Sequence, residues 1–318
     1  MTPNEITYLV FGCIFIIALI IDLGFLSKKN KIISTKLAFL QTIFWVCLAL
    51  AFFVFVWYQE GKLTAIEYIS AYLMEWSLSI DNIFVFIIIF SAFKVKPIYY
   101  GRVLLIGILM AIIFRIGFIT IGIALVQKVQ WTLYIFGLFL IFTGYKMFFT
   151  NQEEEFNPRK SRIYTLLLKY LPITLEDGDG KFKIRKNGKP LYTVLFVVVV
   201  MLAITDLVFA IDSIPAVMGI SRNNLVIYTS NIFAVLGLRS LFFLLRGAVA
   251  KFDYLQQGIA IILVFIGLKM LLEHYLLLWL SKNQLIIISL IIIIICISGS
   301  ILYSIQHNKK GGIQNLND

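Results

Sequence analysis

Cysteine and histidine are scarce in this sequence, three and two among 318 residues. Cys13, Cys47 and Cys296 stand singly in apolar stretches. That excludes a disulfide framework and a thiolate metal site and leaves small apolar packing residues. His274 and His307 fall at the ends of apolar segments, poor positions for metal ligands. Charge is scarce too, 14 % of residues against 60 % hydrophobic, with a mean hydropathy of +0.93. No soluble domain of this length needs so much apolar surface, so the composition is that of an all-α polytopic membrane protein. The start, "MTPNEITYLVFG", lacks a basic n-region and a small-residue cleavage site. The first apolar run is therefore read as a retained span.

A membrane span takes about 20 apolar residues, and nine stretches qualify: roughly 6–26, 38–58, 64–93, 102–125, 130–149, 191–219, 224–246, 253–274 and 284–305. With alternating sides, 20 of the 28 Lys and Arg fall on one side and four on the other; Arg115, Lys146, Arg239 and Lys269 fall within spans. This bias predicts an outside N-terminus and a cytoplasmic C-terminus. It also accounts for the net charge of +11 without nucleic acid; the expected surroundings are membrane lipid. The one long polar connection, 150–190, is then a cytoplasmic loop whose "DGDG" and "KNGK" turn signals predict a hairpin. "DGDGKF" lacks the later ligands of a Ca²⁺-binding loop.

The chain repeats itself. "LIFTGYKMFF" (140–149) and "LVFIGLKMLL" (263–272) share five of ten positions at an offset of 123. Arg115 and Arg239 match at 124, while Glu75/Asp206 and Asp81/Asp212 match at 131. Residues 1–318 thus read as one transmembrane domain with a unit at 60–149, the loop 150–190, a second unit at 191–275 and a last span at 284–305. Each unit holds three spans, so the second crosses in the opposite sense: spans 3–5 and 6–8 form a three-plus-three inverted-topology repeat, the kind that carries a site near the midplane.

Within the two units lie "EWSLSIDN" (75–82) and "TDLVFAID" (205–212). A charge at the bilayer centre costs several kcal/mol, so four carboxylates there demand partners. On a straight helix Glu75, Ser79 and Asn82 share a face, and Asp81 points about 120° away. Convergence of the acids predicts that both spans are distorted, the second near Pro215, whose missing N–H frees the carbonyl of Ile211. Carboxylates, carboxamide, hydroxyls and a freed carbonyl form a hard-oxygen set that suits Mg²⁺, Ca²⁺ or Mn²⁺ rather than Zn²⁺. The competing reading is a structural ion-pair network, because the four acids are matched by Arg115, Arg239, Lys146 and Lys269. The two arginines lie deeper and are expected to pair with acids, whereas the lysines lie near span ends and can snorkel. Asp22, at the cytoplasmic end of span 1, is read as an interfacial or pathway residue, and Glu67 as a solvated span end. The aspartates lack the glycine flanks of an intramembrane protease, Asp212 standing in "AIDSIP", so the chain is read as a non-enzyme.

"EWSLSIDNIFVFIIIF", "TDLVFAIDSIPAV" and "TSNIFAVLGLRSLFFLL" resemble the signature stretches of the TerC/Alx family of bacterial membrane proteins, and "YIFGLFLIFTGYKM" and "LVFIGLKML" resemble its repeat ends. The likeness covers at least 60–275. It implies a multi-pass protein of the bacterial cytoplasmic membrane, associated with Mn²⁺ efflux, with metal supply to exported proteins and with tellurite resistance. It also implies metal binding by Glu75, Asp81, Asp206 and Asp212, with Asn82, Ser213 and Asn231 as neutral ligands. In many members an acidic residue stands three positions before the first Asp of the second motif; here that position is Ala203. The expectation is a Mn²⁺ exporter, with coupling to protons through the paired carboxylates. The alternative is a membrane scaffold that aids metallation or insertion of exported proteins, with the secretory machinery as partner.

Overall fold

A computed structural model describes residues 3–21, 33–129, 131–149, 161–174, 178–186, 189–246 and 254–314. The long helices are α1 (Pro3–Ile21), α2 (Thr35–Glu60), α3 (Lys62–Ala92), α4 (Tyr100–Lys128) and α5 (Thr132–Phe149). After a short α6 (Arg162–Tyr170) and a two-stranded hairpin come α7 (Val194–Ile220), α8 (Asn224–Leu245), α9 (Leu255–Trp279) and α10 (Lys282–Gln314). Among the described residues seven helices are long and apolar enough to cross a membrane: α2, α4 with the turn before it, α5, α7, α8, α9 and α10. The first expected span is present as the shorter apolar helix Glu5–Ile21. The third is α3, 31 residues carrying Lys62, Glu67, Glu75 and Asp81.

Local chemistry places the breaks. Gly61 takes φ +95 between α2 and α3, a conformation that side-chain-bearing residues avoid. The Ser34, Ser161 and Asn223 side chains accept hydrogen bonds from the backbone N–H groups of Leu37, Tyr164 and Leu225, capping α2, α6 and α8. In the 150–190 stretch, β1 (Lys183–Lys186) pairs antiparallel with β2 (Lys189–Tyr192). The Arg102 Nη1 group ties the hairpin to the start of α4 by donating to the carbonyl of Gly180 at 2.8 Å.

α8 runs through the centre, with almost every side chain from Leu225 to Phe243 buried against α2, α3 and α4. α5 and α10 instead turn Ile135, Leu138, Phe142, Ile291 and Ile295 outward, as helices in lipid do. Lipid is as apolar as leucine, so helices here associate through close packing at small residues. The most extensive contact joins α5 and α9. There a Cβ on Gly144 would lie 2.7 Å from the Ala260 carbonyl oxygen, and one on Gly267 would lie 2.6 Å from that of Gly137.

The expected distortions are absent. α3 is helical without interruption through 75–82, and α7 through Pro215. Pro215 still leaves the Ile211 carbonyl without its helical donor, but packing holds the helix together across it. Glu75 and Asp206 meet without a break in either helix, because their convergence arises between helices.

Candidate functional site

At the centre of the bundle α3, α4, α7 and α8 bring five polar side chains to one point. Arg115, on α4, is 2 % exposed. Its Nε and Nη2 groups donate to the two oxygens of Asp206 on α7, at 2.8 and 3.2 Å. Its Nη1 group donates to Glu75 Oε2 on α3 at 2.8 Å and to Asn231 Oδ1 on α8 at 3.0 Å. Asn82 Nδ2 adds a 3.3 Å bond to Asp206 Oδ1. Glu75, Asp206 and Asn231 are fully buried. The planar five-donor guanidinium is the side chain suited to such a junction, since its fork engages Asp206 with two bonds and leaves others for two more helices.

The cluster is not electrically closed. One guanidinium faces two carboxylates. Among the described residues, Glu75 Oε1 and the buried hydroxyls of Ser77, Ser79 and Ser213 have no hydrogen-bond partner. Buried polar atoms left this way carry a desolvation cost of about 1–3 kcal/mol each. The gap beside Asp206, bounded by Phe86, Leu104, Gly107 and Leu202, is too small for a water molecule. Among the described residues no three acidic, His or Cys side chains come together. The groups gathered here are instead two carboxylates and two carboxamides around an arginine.

The other expected site residues are distributed around this centre. Asp212 is half-buried and faces α5, where Thr143 Oγ1 donates to it at 3.4 Å. Asp81 lies on α3 inside "SIDN", but its side chain is outside the described residues, as is Asp22 entirely. Arg239 is buried in α8. Lys269 is buried rather than snorkelling and donates to Ser289 Oγ on α10 at 3.0 Å, while Lys146 is exposed near the end of α5.

Glu67 is a correction. It is not a solvated span end but 5 % exposed, and its carboxylate accepts a bond from the Ser221 hydroxyl at the end of α7. With Lys269, Arg222 and Glu273 it lines a cavity of about 220 Å³. That cavity shares Met218, Arg222, Met270 and Glu273 with a neighbouring one of about 460 Å³ that reaches Gln127, Asn224 and His274. Arg222 and Glu273 form an ion pair across it. The walls are the ends of α3, α4, α5, α7, α8 and α9 that lie on one side of the bundle. On the opposite side the ends of α3, α4 and α8 are closed by aromatic rings: Phe90 stacks on Tyr100 at 4.3 Å and meets Phe242 at 5.4 Å.

A match to the integral membrane protein TerC family spans residues 60–311. The chain belongs to the TerC family. Among similar proteins, an "Uncharacterized membrane protein" of Rickettsia bellii (strain RML369-C) is 41 % identical over 269 residues, 85 % of this chain and 89 % of the relative. The "Putative membrane-bound redox modulator Alx" of Escherichia coli (strain K12) is 35 % identical over 311 residues, 95 % of this chain and 96 % of the relative. The protein of that name from Salmonella typhi is 38 % identical over 274 residues, 83 % and 85 % of the two chains. No solved structure matches the chain. As a TerC-family membrane protein, the chain places its buried acids and arginine inside the matched region. Ala203 is fully buried three residues before Asp206 on α7.

Proposed function

We propose that this TerC-family protein is a divalent-cation transporter of the bacterial cytoplasmic membrane, exporting Mn²⁺. The observation that carries this reading is the meeting of Glu75 and Asp206, one acid from each unit, at a closed point below an open polar vestibule. Buried ionisable groups in a membrane bundle mark ion pathways far more often than they mark packing. The donor set is oxygen only, which favours Mn²⁺, Ca²⁺ and Mg²⁺ over softer metals. Mn²⁺ is the member of that set chosen from the family resemblance.

The inverted repeat supplies the mechanism. At the offset of 123, Gly137 matches Ala260, Ile141 matches Val264 and Gly144 matches Gly267. Gly144 against Ala260 and Val264, and Gly267 against Gly137 and Ile141, are then one contact seen from the two units. The pairings α3 with α8 and α4 with α7 are likewise reciprocal. With the charge bias putting the vestibule outside, the aromatic cluster of Phe90, Tyr100 and Phe242 closes the cytoplasmic end. The molecule in this form is open outward. Rocking of one unit against the other would close the vestibule around Glu67 and Met218 and part the aromatic rings, exposing Glu75 and Asp206 to the cytoplasm. Mn²⁺ would enter there, be held by the two carboxylates with Asn82 and Asn231, and leave past Glu67. Protonation of a released carboxylate offers a route to proton coupling.

The relatives named for redox modulation raise a second class of activity. This chain's cysteines are free thiols on three separate helices, α1, α2 and α10. A redox effect in the cell would then follow from metal levels rather than from a thiol pair. Inverted vesicles given external Mn²⁺ test the reading: Glu75→Gln and Asp206→Asn, inserted at wild-type levels, should lose Mn²⁺ uptake. Wild-type flux in both variants would refute the site, and absence of Mn²⁺, Ca²⁺ and Mg²⁺ flux in the wild type would refute the function.

A further inference from the structure

We infer that Arg115 is a tethered substitute for the transported cation, occupying Glu75 and Asp206 whenever the carrier is empty. This rests on the transport reading above and adds a step to it. The geometry is that of a competitor. Three guanidinium nitrogens take one oxygen of Glu75, both oxygens of Asp206 and the Oδ1 atom of Asn231. Those are the same atoms that a hard cation would need, and among the described residues Asp206 and Glu75 have no other cation on them. A metal and the guanidinium cannot share this point, because both require the carboxylate lone pairs that face it. The gap beside Asp206 is too small for even a water, so it offers no room for a metal ion next to the guanidinium.

Charge explains why the exchange runs both ways. Two carboxylates and one guanidinium leave a residual single negative charge, and Glu75 Oε1 is left over without a partner. A divalent ion neutralises both carboxylates, so it is the better occupant and can displace the arginine. Without either occupant, two bare carboxylates would lie in a water-free bundle core, a state too costly to pass through the closed form. Arg115 therefore lets the unloaded carrier return across the membrane. Its role is in the return step and not in the loaded one.

The prediction separates two kinds of flux in liposomes containing the full chain. Metal-for-metal exchange of radioactive Mn²⁺ uses only the loaded carrier, whereas net Mn²⁺ flux into metal-free buffer also needs the empty one. Arg115→Gln should keep exchange near wild type while net flux falls at least tenfold. If the arginine holds about nine-tenths of the empty sites, its loss also raises apparent Mn²⁺ affinity about tenfold. Arg115→Lys, which keeps the charge but loses the fork, covers the case in which the glutamine variant fails to insert. It should show the same split in weaker form, with net flux reduced and exchange retained. Exchange and net flux falling together in an inserted variant, or an unchanged Mn²⁺ affinity, would overturn the proposal and leave Arg115 a structural cross-link. A wild type that neither binds nor exchanges Mn²⁺ would overturn the transport reading itself, and the tether with it.

Discussion

Two polar clusters share helix α3 and are built on opposite terms. Glu75 and Glu67 are eight residues apart, about 12 Å along the helix axis. The Glu75 cluster is sealed, and its cation comes from the protein. The Glu67 cluster adjoins two connected cavities, takes a hydroxyl bond from Ser221 and faces an ion pair with side chains 58 % and 34 % exposed. Both contain acids and bases in a largely apolar bundle. The difference is what compensates the charge: fixed donors from other helices in one case, access to solvent in the other. A sealed cluster has a single favourable arrangement and can act as a switch point, while an open one can accept and release ions without rearranging its neighbours.

The sharpest way to break this comparison is Asp206→Asn. It strips the Arg115 Nε and Nη2 groups of their charged acceptor while Glu75 still balances the guanidinium, which should destabilise the protein by about 3 kcal/mol. Thermal unfolding in detergent would register the loss, together with abolished Mn²⁺ flux. Gly267→Val comes next. Its Cβ would meet the Gly137 carbonyl at 2.6 Å, and overpacking of this kind costs about 1–3 kcal/mol. Loss of stability with the two polar clusters untouched would separate packing from charge. Glu67→Gln should cost about 1 kcal/mol or less, since the amide oxygen can still accept from Ser221. Net Mn²⁺ flux should nevertheless drop; unchanged flux would remove the vestibule from the pathway. Smallest is Arg222→Ala. A solvated ion pair is worth about 0–1 kcal/mol, so the melting temperature should hardly move, and any change in flux should fade as salt is raised.

The sequence made some of this legible and hid the rest for physical reasons. The acids and Arg115 stand out because charges in apolar stretches are costly, and their recurrence in both units marks Glu75 and Asp206 as a matched pair. A six-residue spacing puts the two acids of each motif on different faces of a straight helix, and the structure turns Asp206 toward α4 and Asp212 toward Thr143 on α5. Reading that separation as a reason for a broken helix was the error: convergence belongs to the four-helix junction, a tertiary property. Glu67 carries no such sign, because at the offset that aligns Glu75 with Asp206 it falls opposite Val198 and not an acid. Nor does local pattern reveal that Ser221, past the end of α7, reaches back to cover it. Lys269 looked free to snorkel, and only the position of α10 shows that Ser289 meets it.

The crossing of α5 and α9 has one further consequence. Gly144 on Ala260 and Gly267 on Gly137 are positions that align at the offset of 123, so the rocking proposed above would leave this contact as it is. The seam would then work like the pin of a pair of scissors. Glycines on both sides bring the backbones together, with the Val264 side chain seated on Gly144 and the Ile141 side chain on Gly267. The two blades can then differ in what they grip while turning on the same axle.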